Sequence, residues 1–454
     1  MKNTLVQLAK RFIPYSFLWL LVGCDYKDVA VNIPVPYPQA SIPQAACMGH
    51  IRDGYSDKVS YLPGERIKIY LNSEHPLDIC RLTFYNYHGD SIFSIASLLK
   101  NQSRVSNNDP SVTGFGYDVS AEFLVPKIKS GIYLIEKMIP VIVKTLEPVD
   151  VMVIYPSNTA NAYCESGGRG LYTIDNRPYQ VSFQRPIPVQ PLCEYCLEWF
   201  TMQNFSVGYV ADVDLENYTN IQNAKILTIA GHSEYWTRAA RLNFDRFVDN
   251  GGHGLILSGN TMWWQVRYTS DLNGLICYKG YDYDPISPPR LKTANWNNPA
   301  LEYPITSSIG VDFVLGGYGL QNDNGWDGYK IASPTSPLLE GLNFAKGDIL
   351  PLPTIEYDGA PITGYVDGYP VIDTNKLNFD KIELVGFDKG YRYQETTATF
   401  MVLKKKATSG IIVNTASSNW CSGTGMGGPS GDAIKKITFN AITKLLNNQN
   451  VFSN

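Results

Sequence analysis

Ile226-Leu227-Thr228-Ile229-Ala230-Gly231-His232-Ser233-Glu234-Tyr235-Trp236 runs an apolar segment directly into a histidine and a carboxylate two residues apart. Five consecutive residues without a charge read as a buried strand. Trp236, Ala240, Phe244 and Phe247/Val248 then recur at helical spacing and predict a helix opening at the end of the quoted stretch. Asn250-Gly251-Gly252 supplies the stop, and His253-Gly254-Leu255-Ile256-Leu257-Ser258 reads as the next strand. His232 and Glu234 are thereby expected at the carboxyl end of a strand in a βαβ unit. In open α/β sheets that edge is where ligands bind, because the loops part there and helix N-termini face the crevice.

Strands alternating with helices extend in both directions. Upstream, Val149 to Tyr155 is an apolar run, Leu192 to Phe205 has helical spacing, and Val207 to Val210 is strand-like. Downstream, Gly410 to Asn414 is a last strand, and a helix from Asp432 to Leu446 closes the chain. The alternation predicts a parallel sheet wrapped by helices over residues 148–454. The Tyr-, Gly-, Pro- and Asn-rich stretch from about 265 to 405 is expected to decorate the sheet edge or cover the crevice. Residues 48–147 carry short alternating segments, such as Arg66-Ile67-Lys68-Ile69-Tyr70-Leu71, and no long helical period. They predict a small immunoglobulin-like β-sandwich. His50, His75 and His88 lie there in polar turns and read as surface residues.

A length of 454 residues exceeds one compact core. A net charge of -4 offers no basic patch, which argues against nucleic acid as a partner. Lys2, Lys10 and Arg11 precede an apolar stretch, Phe12 to Val22, too short to span a bilayer but suited to an export signal over residues 1–23. Leu21-Val22-Gly23-Cys24 resembles a bacterial lipobox. The implied mature protein is exported to the cell envelope and tethered to a membrane by lipid on Cys24, with a Pro-rich tether over 24–47. An incidental Cys24 behind a plain signal peptide is the alternative. Seven cysteines follow, an odd number, so at least one stays unpaired within the chain. Cys193-Glu194-Tyr195-Cys196 is a lone CxxC and reads as a structural thiol pair or local disulfide.

Three loops at strand ends carry the chemistry: Tyr155 to Tyr163 continuing through Gly167-Gly168 to Tyr172; Gly231 to Trp236; and Ser258-Gly259-Asn260-Thr261-Met262-Trp263-Trp264-Gln265-Val266-Arg267. In a doubly wound sheet all three open on one side. Their combination resembles the large subunit of N,N-dimethylformamidase, over about residues 148–450 and most closely over 225–267. The resemblance implies a glutamine-amidotransferase-like (flavodoxin-like) α/β fold with a mononuclear iron held by two tyrosines and a glutamate, a histidine close by. The family's reaction is hydrolysis of the amide bond of a small formamide. By motif, Glu234 is the carboxylate ligand and His232 the neighbouring histidine. Tyr163 and Tyr172 are the candidate phenolate ligands, with Tyr155 and Tyr179 as substitutes. That enzyme's small helical subunit and lectin-like domain have no counterpart in this sequence, so the resemblance carries no substrate.

The residue types suit that chemistry. Phenolates and carboxylates are hard anionic oxygen donors that favour ferric ion, whereas a soft site would need thiolates. The ion would polarise an amide carbonyl and activate water. His232 is placed to pass a proton to the leaving amine, and Asn260 to donate to the developing oxyanion. Plainer roles stand beside these: Glu234 in the first turn of a helix, complementing its dipole, His232 as a satisfied loop histidine, and Trp263-Trp264 as wall and core. Asp212 and Asp214 read as a polar rim, and His253 as structural. A nucleophilic cysteine needs a strand-to-helix elbow; Cys164, behind Tyr163, comes closest without matching it. Two functions follow: an anchored metallohydrolase of C–N bonds, or a non-catalytic lipoprotein that binds a glycan or peptide in the same crevice.

Overall fold

The computed structural model describes residues 43–104, 109–319 and 325–453. The export signal, Cys24 and most of the tether lie outside the described residues. Among those residues no helix is long and apolar enough to cross a membrane.

The N-terminal part is all β. Ile51–Ser56, Arg66–Ser73 and Ala121–Leu124 form a three-stranded antiparallel sheet. A five-stranded sheet runs in the order Ser60–Tyr61, Ile139–Val143, Gly131–Ile135, Leu77–Tyr85, Ser91–Leu99. Alternation places Ile67, Ile69 and Leu71 on one inward face, where they meet Leu82, Phe84 and Val141. Cys47 is joined to Cys80 by a disulfide, so chain expected to be tether is already fixed to the sheet at Cys47.

The following part is built on a sheet of eleven strands. Its elements are β1 (Val149–Tyr155), α1 (Ser157–Tyr163), α2 (Glu194–Thr201), β2 (Val207–Ala211), β3 (Ala224–His232), α3 (Arg238–Asp249), β4 (His253–Gly259), β5 (Glu356–Gly359), β6 (Lys381–Arg392), β7 (Gln394–Lys404), β8 (Ile411–Asn414) and α4 (Gly431–Leu446). The order is β2-β1-β3-β4-β8-β7-β6, continuing through Gly317–Tyr318 to β5. Strands β2 to β8 of that order are parallel, and β7 and β6 are antiparallel. Parallel strands buried on both faces read as continuous apolar runs, as β3 does. Ile226 and Ala230 pack with Leu197, Phe200 and Ile437 of α2 and α4. Leu227 and Ile229 pack with Trp236, Ala240, Phe244 and Val248 on the α3 side. Each large apolar side chain so buried contributes about 1.5–3 kcal/mol.

Two expectations need correction. The helix does not open at Trp236: Tyr235–Thr237 is a short strand pairing in parallel with Trp264–Tyr268, and α3 starts at Arg238, capped by Thr237 Oγ1 accepting from Ala240 N. The helical spacing is real, but backbone pairing takes its first member. Nor is 265–405 only decoration. Its last part supplies β6 and β7, two long strands inside the main sheet; the run Thr399-Phe400-Met401-Val402-Leu403, buried throughout, was the available sign.

His253 is structural, as expected. Its Nδ1 accepts from Ile411 N at 3.0 Å and holds β8 against β4. Burial, reinforced by Lys404, lowers its pKa to about 4. The folded value lies below the unfolded one near 6.5, so this stabilisation is complete above about pH 6.5 and is lost as pH falls towards about 4. We expect urea titrations to show a loss on the order of 2–3 kcal/mol over that window, absent in His253→Asn. Equal acid sensitivity in the variant would overturn this assignment.

Candidate active site

Parallel register brings the strand ends to one edge: His232 pairs with Gly259, Ile229 with Ile154, and Ala211 with Tyr155. At Gly231, φ +73 turns the chain as it leaves the sheet. Ser233 and Glu234 are then fixed from both sides. Met262 N donates to Ser233 O and Trp264 N to Glu234 O, each at 2.9 Å. Glu234 N donates to Thr159 Oγ1 at 2.9 Å, and Trp236 Nε1 to Ser233 O and Oγ. Glu234 therefore sits before a strand and well short of α3. It does not lie in the first helical turn, and the dipole reading falls away.

The structure brings together four of the five candidates of the chemistry. Tyr172 Oη donates to Glu234 Oε1 in a short hydrogen bond. Tyr163 Oη lies 3.2 Å from His232 Nε2, and the two tyrosine rings are 4.4 Å apart, centroid to centroid. Glu234 is fully buried and its Oε2 has no hydrogen-bond partner; His232 Nε2 is 3.5 Å from it. Tyr163 and Tyr172 are 41% and 44% exposed, so the cluster reaches solvent through them. Burial and the Glu234 charge push both phenols above their ordinary pKa. His232 Nδ1 donates to Gly259 O at 3.1 Å. Burial opposes charge on this ring, but the Glu356 and Glu234 carboxylates prevail and raise it to about 9. Burial likewise opposes ionisation of Glu234, and His232, Lys279 and Tyr172 hold it below the usual carboxylate range.

Asn260, the fifth candidate, stands at the end of β4 with φ +51. Its Nδ2 donates at 3.3 Å to Glu356 Oε2, so the donor expected to face an oxyanion is directed to a carboxylate. Glu356 was missed. It lies 3.3 Å from His232 Nε2 through Oε2 and heads β5, within the Tyr- and Pro-rich stretch where nothing in one sequence marks it. Lys279 was missed as well; its Nζ lies 3.0 Å from the centroid of the Tyr172 ring.

The remaining candidates stand apart. Tyr155 is buried and its hydroxyl accepts from Gln190 N; Tyr179 is exposed and stacked on Tyr278. Asp212 accepts from Asn158 N, while Asp214 pairs with Lys144 at 2.6 Å and accepts from Ser60, tying the sheet to the β region. Cys164 Sγ donates to Pro186 O. Cys193 and Cys196 are buried free thiols, so the local disulfide does not form. Among the described residues no group of three or more His, Cys, Asp and Glu side chains is placed to hold a metal; a site at Glu234 therefore depends on the two phenols.

No curated protein matches the chain. Among solved structures it is similar to a ThuA-like protein from Bacteroides uniformis ATCC 8492, with 10% identity over 66% of this chain and 92% of that one. The TM-score is 0.33, too slight a likeness to bear on fold or function. The family model described as N,N-dimethylformamidase beta subunit-like, C-terminal, matches residues 77–431, and the chain belongs to that family.

Proposed function

We propose that this protein is a metallohydrolase that cleaves a carbon–nitrogen bond, in the first instance an amide, at a mononuclear iron held by Tyr163, Tyr172 and Glu234. One observation carries the reading: Tyr172 bonds a fully buried carboxylate whose Oε2 makes no hydrogen bond, and the Tyr163 ring lies 4.4 Å from the Tyr172 ring, centroid to centroid. A buried unsatisfied carboxylate oxygen is costly, and three hard oxygen donors are the set a ferric ion prefers. Membership of a dimethylformamidase-like family supports hydrolysis. When bound, the ion would polarise the amide carbonyl and make hydroxide available near neutrality.

The protein's own groups complete the chemistry. His232 holds one proton at Nδ1 against Gly259 O and carries a second at Nε2 between Glu234 and Glu356. Nε2 is the atom that delivers a proton to the leaving amine. Asn260 orients Glu356, which stabilises the charged imidazolium. Thr159 and the backbone of Trp264 hold Glu234 in place. The order β2-β1-β3-β4-β8 supports a flavodoxin-like, glutamine-amidotransferase-like reading of the parallel strands, and the two facing N-terminal sheets support an immunoglobulin-like one. Export and anchoring through Cys24 rest on the lipobox-like sequence.

Protein purified after expression with iron supplied should contain about one iron per chain and show the visible charge-transfer band of a ferric phenolate. A colourless, metal-free protein would sink this proposal and leave ligand binding as the role of the crevice.

A further inference from the structure

Tyr163 and Tyr172 stand at the two ends of one loop, and that loop is built around a single side chain. Arg185 is fully buried. Its Nη1 donates to Ser166 O at 2.5 Å and to Arg169 O at 2.9 Å. Its Nη2 donates to Asn161 O at 2.8 Å and to Asn161 Oδ1 at 2.9 Å. Its Nε donates to Ser182 O at 3.0 Å, in the strand Gln180–Ser182, and to Asn161 Oδ1 at 3.3 Å. Asn161 lies in the last turn of α1, just before Tyr163, and Arg169 lies just before Tyr172. The loop is closed a second time by Leu171 N, which donates to Ala162 O at 2.8 Å and so joins the residues that precede the two tyrosines.

Every one of these acceptors is a neutral oxygen. Burying a cation among them is costly, so charge pairing does not explain the residue. What the guanidinium supplies is reach: a planar fork with donors on both edges spans α1, the loop and the neighbouring strand at once. The last carbonyls of a helix have no partners within it, and positive charge is favoured at that end, so Arg185 also completes the C-terminus of α1. The outside of the loop is open, since Glu165 and Gly168 are exposed. Its shape is therefore set from within. Gly170 shows how tightly it is drawn in, because a Cβ there would lie 2.7 Å from Cys164 O.

We propose that Arg185 is a positioning residue for Tyr163 and Tyr172: by fixing the loop between them, it sets both phenols beside His232 and Glu234 before any metal binds. Tyr163 Oη thereby meets His232 Nε2 at 3.2 Å, and Tyr172 Oη bonds Glu234. Donors ordered in advance need not be ordered on binding, which strengthens the site. The benefit to a metal rests on the proposed iron centre, whereas the fixing of the loop does not.

The test compares the full chain with Arg185→Lys, which keeps the charge and loses the fork. Amide hydrogen exchange is measured without iron, and iron affinity and the ferric-phenolate band are measured with it. The Leu171 amide should exchange at least about tenfold faster in the variant, while amides of β3 and β4 keep their protection. Iron affinity should fall at least about tenfold, and the band should shift because the two phenolates no longer share one geometry. Asn161→Ala removes only the Oδ1 acceptor and should show the same local pattern more weakly, which keeps the test open if Arg185→Lys fails to fold. Unchanged exchange at Leu171, equal acceleration of all amides, or unchanged affinity and band despite a loosened loop would overturn the proposal. A parent protein that binds no iron, with Leu171 still selectively freed in the variant, would overturn the proposed function and leave the fixing of the loop standing.

Discussion

Glu234→Ala should lose iron and lower hydrolysis by about 10⁴-fold, a size typical of removing one member of a catalytic set, while the fold survives. Survival follows from how the residue is held. Its N–H bonds Thr159 Oγ1, its carbonyl accepts from Trp264 N, and both bonds are made by main chain that alanine keeps. The side chain, by contrast, is a buried charge with one unsatisfied oxygen. Deleting it removes a desolvation cost but also the contact to Tyr172 and a counter-charge to His232 and Lys279, so a loss of up to about 3–5 kcal/mol is expected. Glu234→Gln retains the volume and an acceptor for Tyr172 but lacks the anion. It should fail to hold iron as completely as the alanine variant. Elemental analysis and the charge-transfer band read the metal, and circular dichroism reads the fold. A Glu234→Ala protein that keeps its iron would show that another residue supplies the ligand. A purely structural glutamate predicts a different pattern, with stability lost and metal content unchanged.

Much of this geometry was legible in the sequence because it is local. The apolar run before Gly231 and the residues behind it fix a strand end, and the positions of His232 and Glu234 follow from two residues of chain. Tyr163 and Tyr172 could be paired with them only by motif, since nothing in spacing carries a tyrosine from α1 to β3. What resisted reading is what depends on long-range pairing. Glu356 reaches His232 across more than a hundred residues, because β5 returns to the carboxyl edge of β4: Ser418 N donates to Glu356 O, and Thr261 N to Asp358 Oδ2. Lys279 likewise reaches Tyr172 from the loop after the strand Gly274–Ile276, which pairs with Gln180–Ser182. The helix start was misplaced for a related reason. Trp236 has the spacing of α3, but Tyr235–Thr237 is claimed by Trp264–Tyr268, a partner that helical periodicity cannot see.

Gly231→Ala should be among the most destabilising small substitutions in the α/β part, costing about 2–5 kcal/mol, and should disable the site with it. Two independent penalties act. A φ of +73 is left-handed backbone, which costs an L-residue about 1–2 kcal/mol. The added Cβ would lie 2.9 Å from the carbonyl carbon and oxygen of Leu192 and 3.0 Å from Cys193 Cβ. Those are mostly backbone atoms just before α2, so they cannot rotate aside, and overpacking of this kind costs about 1–3 kcal/mol. Relief requires β3 and the segment before α2 to separate, and His232 is the next residue. Its 3.1 Å bond to Gly259 O and its place between Glu234 and Glu356 would loosen together. Gly251→Ala separates the two penalties. Gly251 has φ +98, but a Cβ there meets only Thr408 O at 3.8 Å, so the conformational cost alone of about 1–2 kcal/mol applies. Urea midpoints at unchanged slope should therefore fall further for Gly231→Ala than for Gly251→Ala, and only the former should lose the iron band. Equal midpoints with iron retained in both would mean that the close approach to Leu192 constrains neither the sheet nor the site.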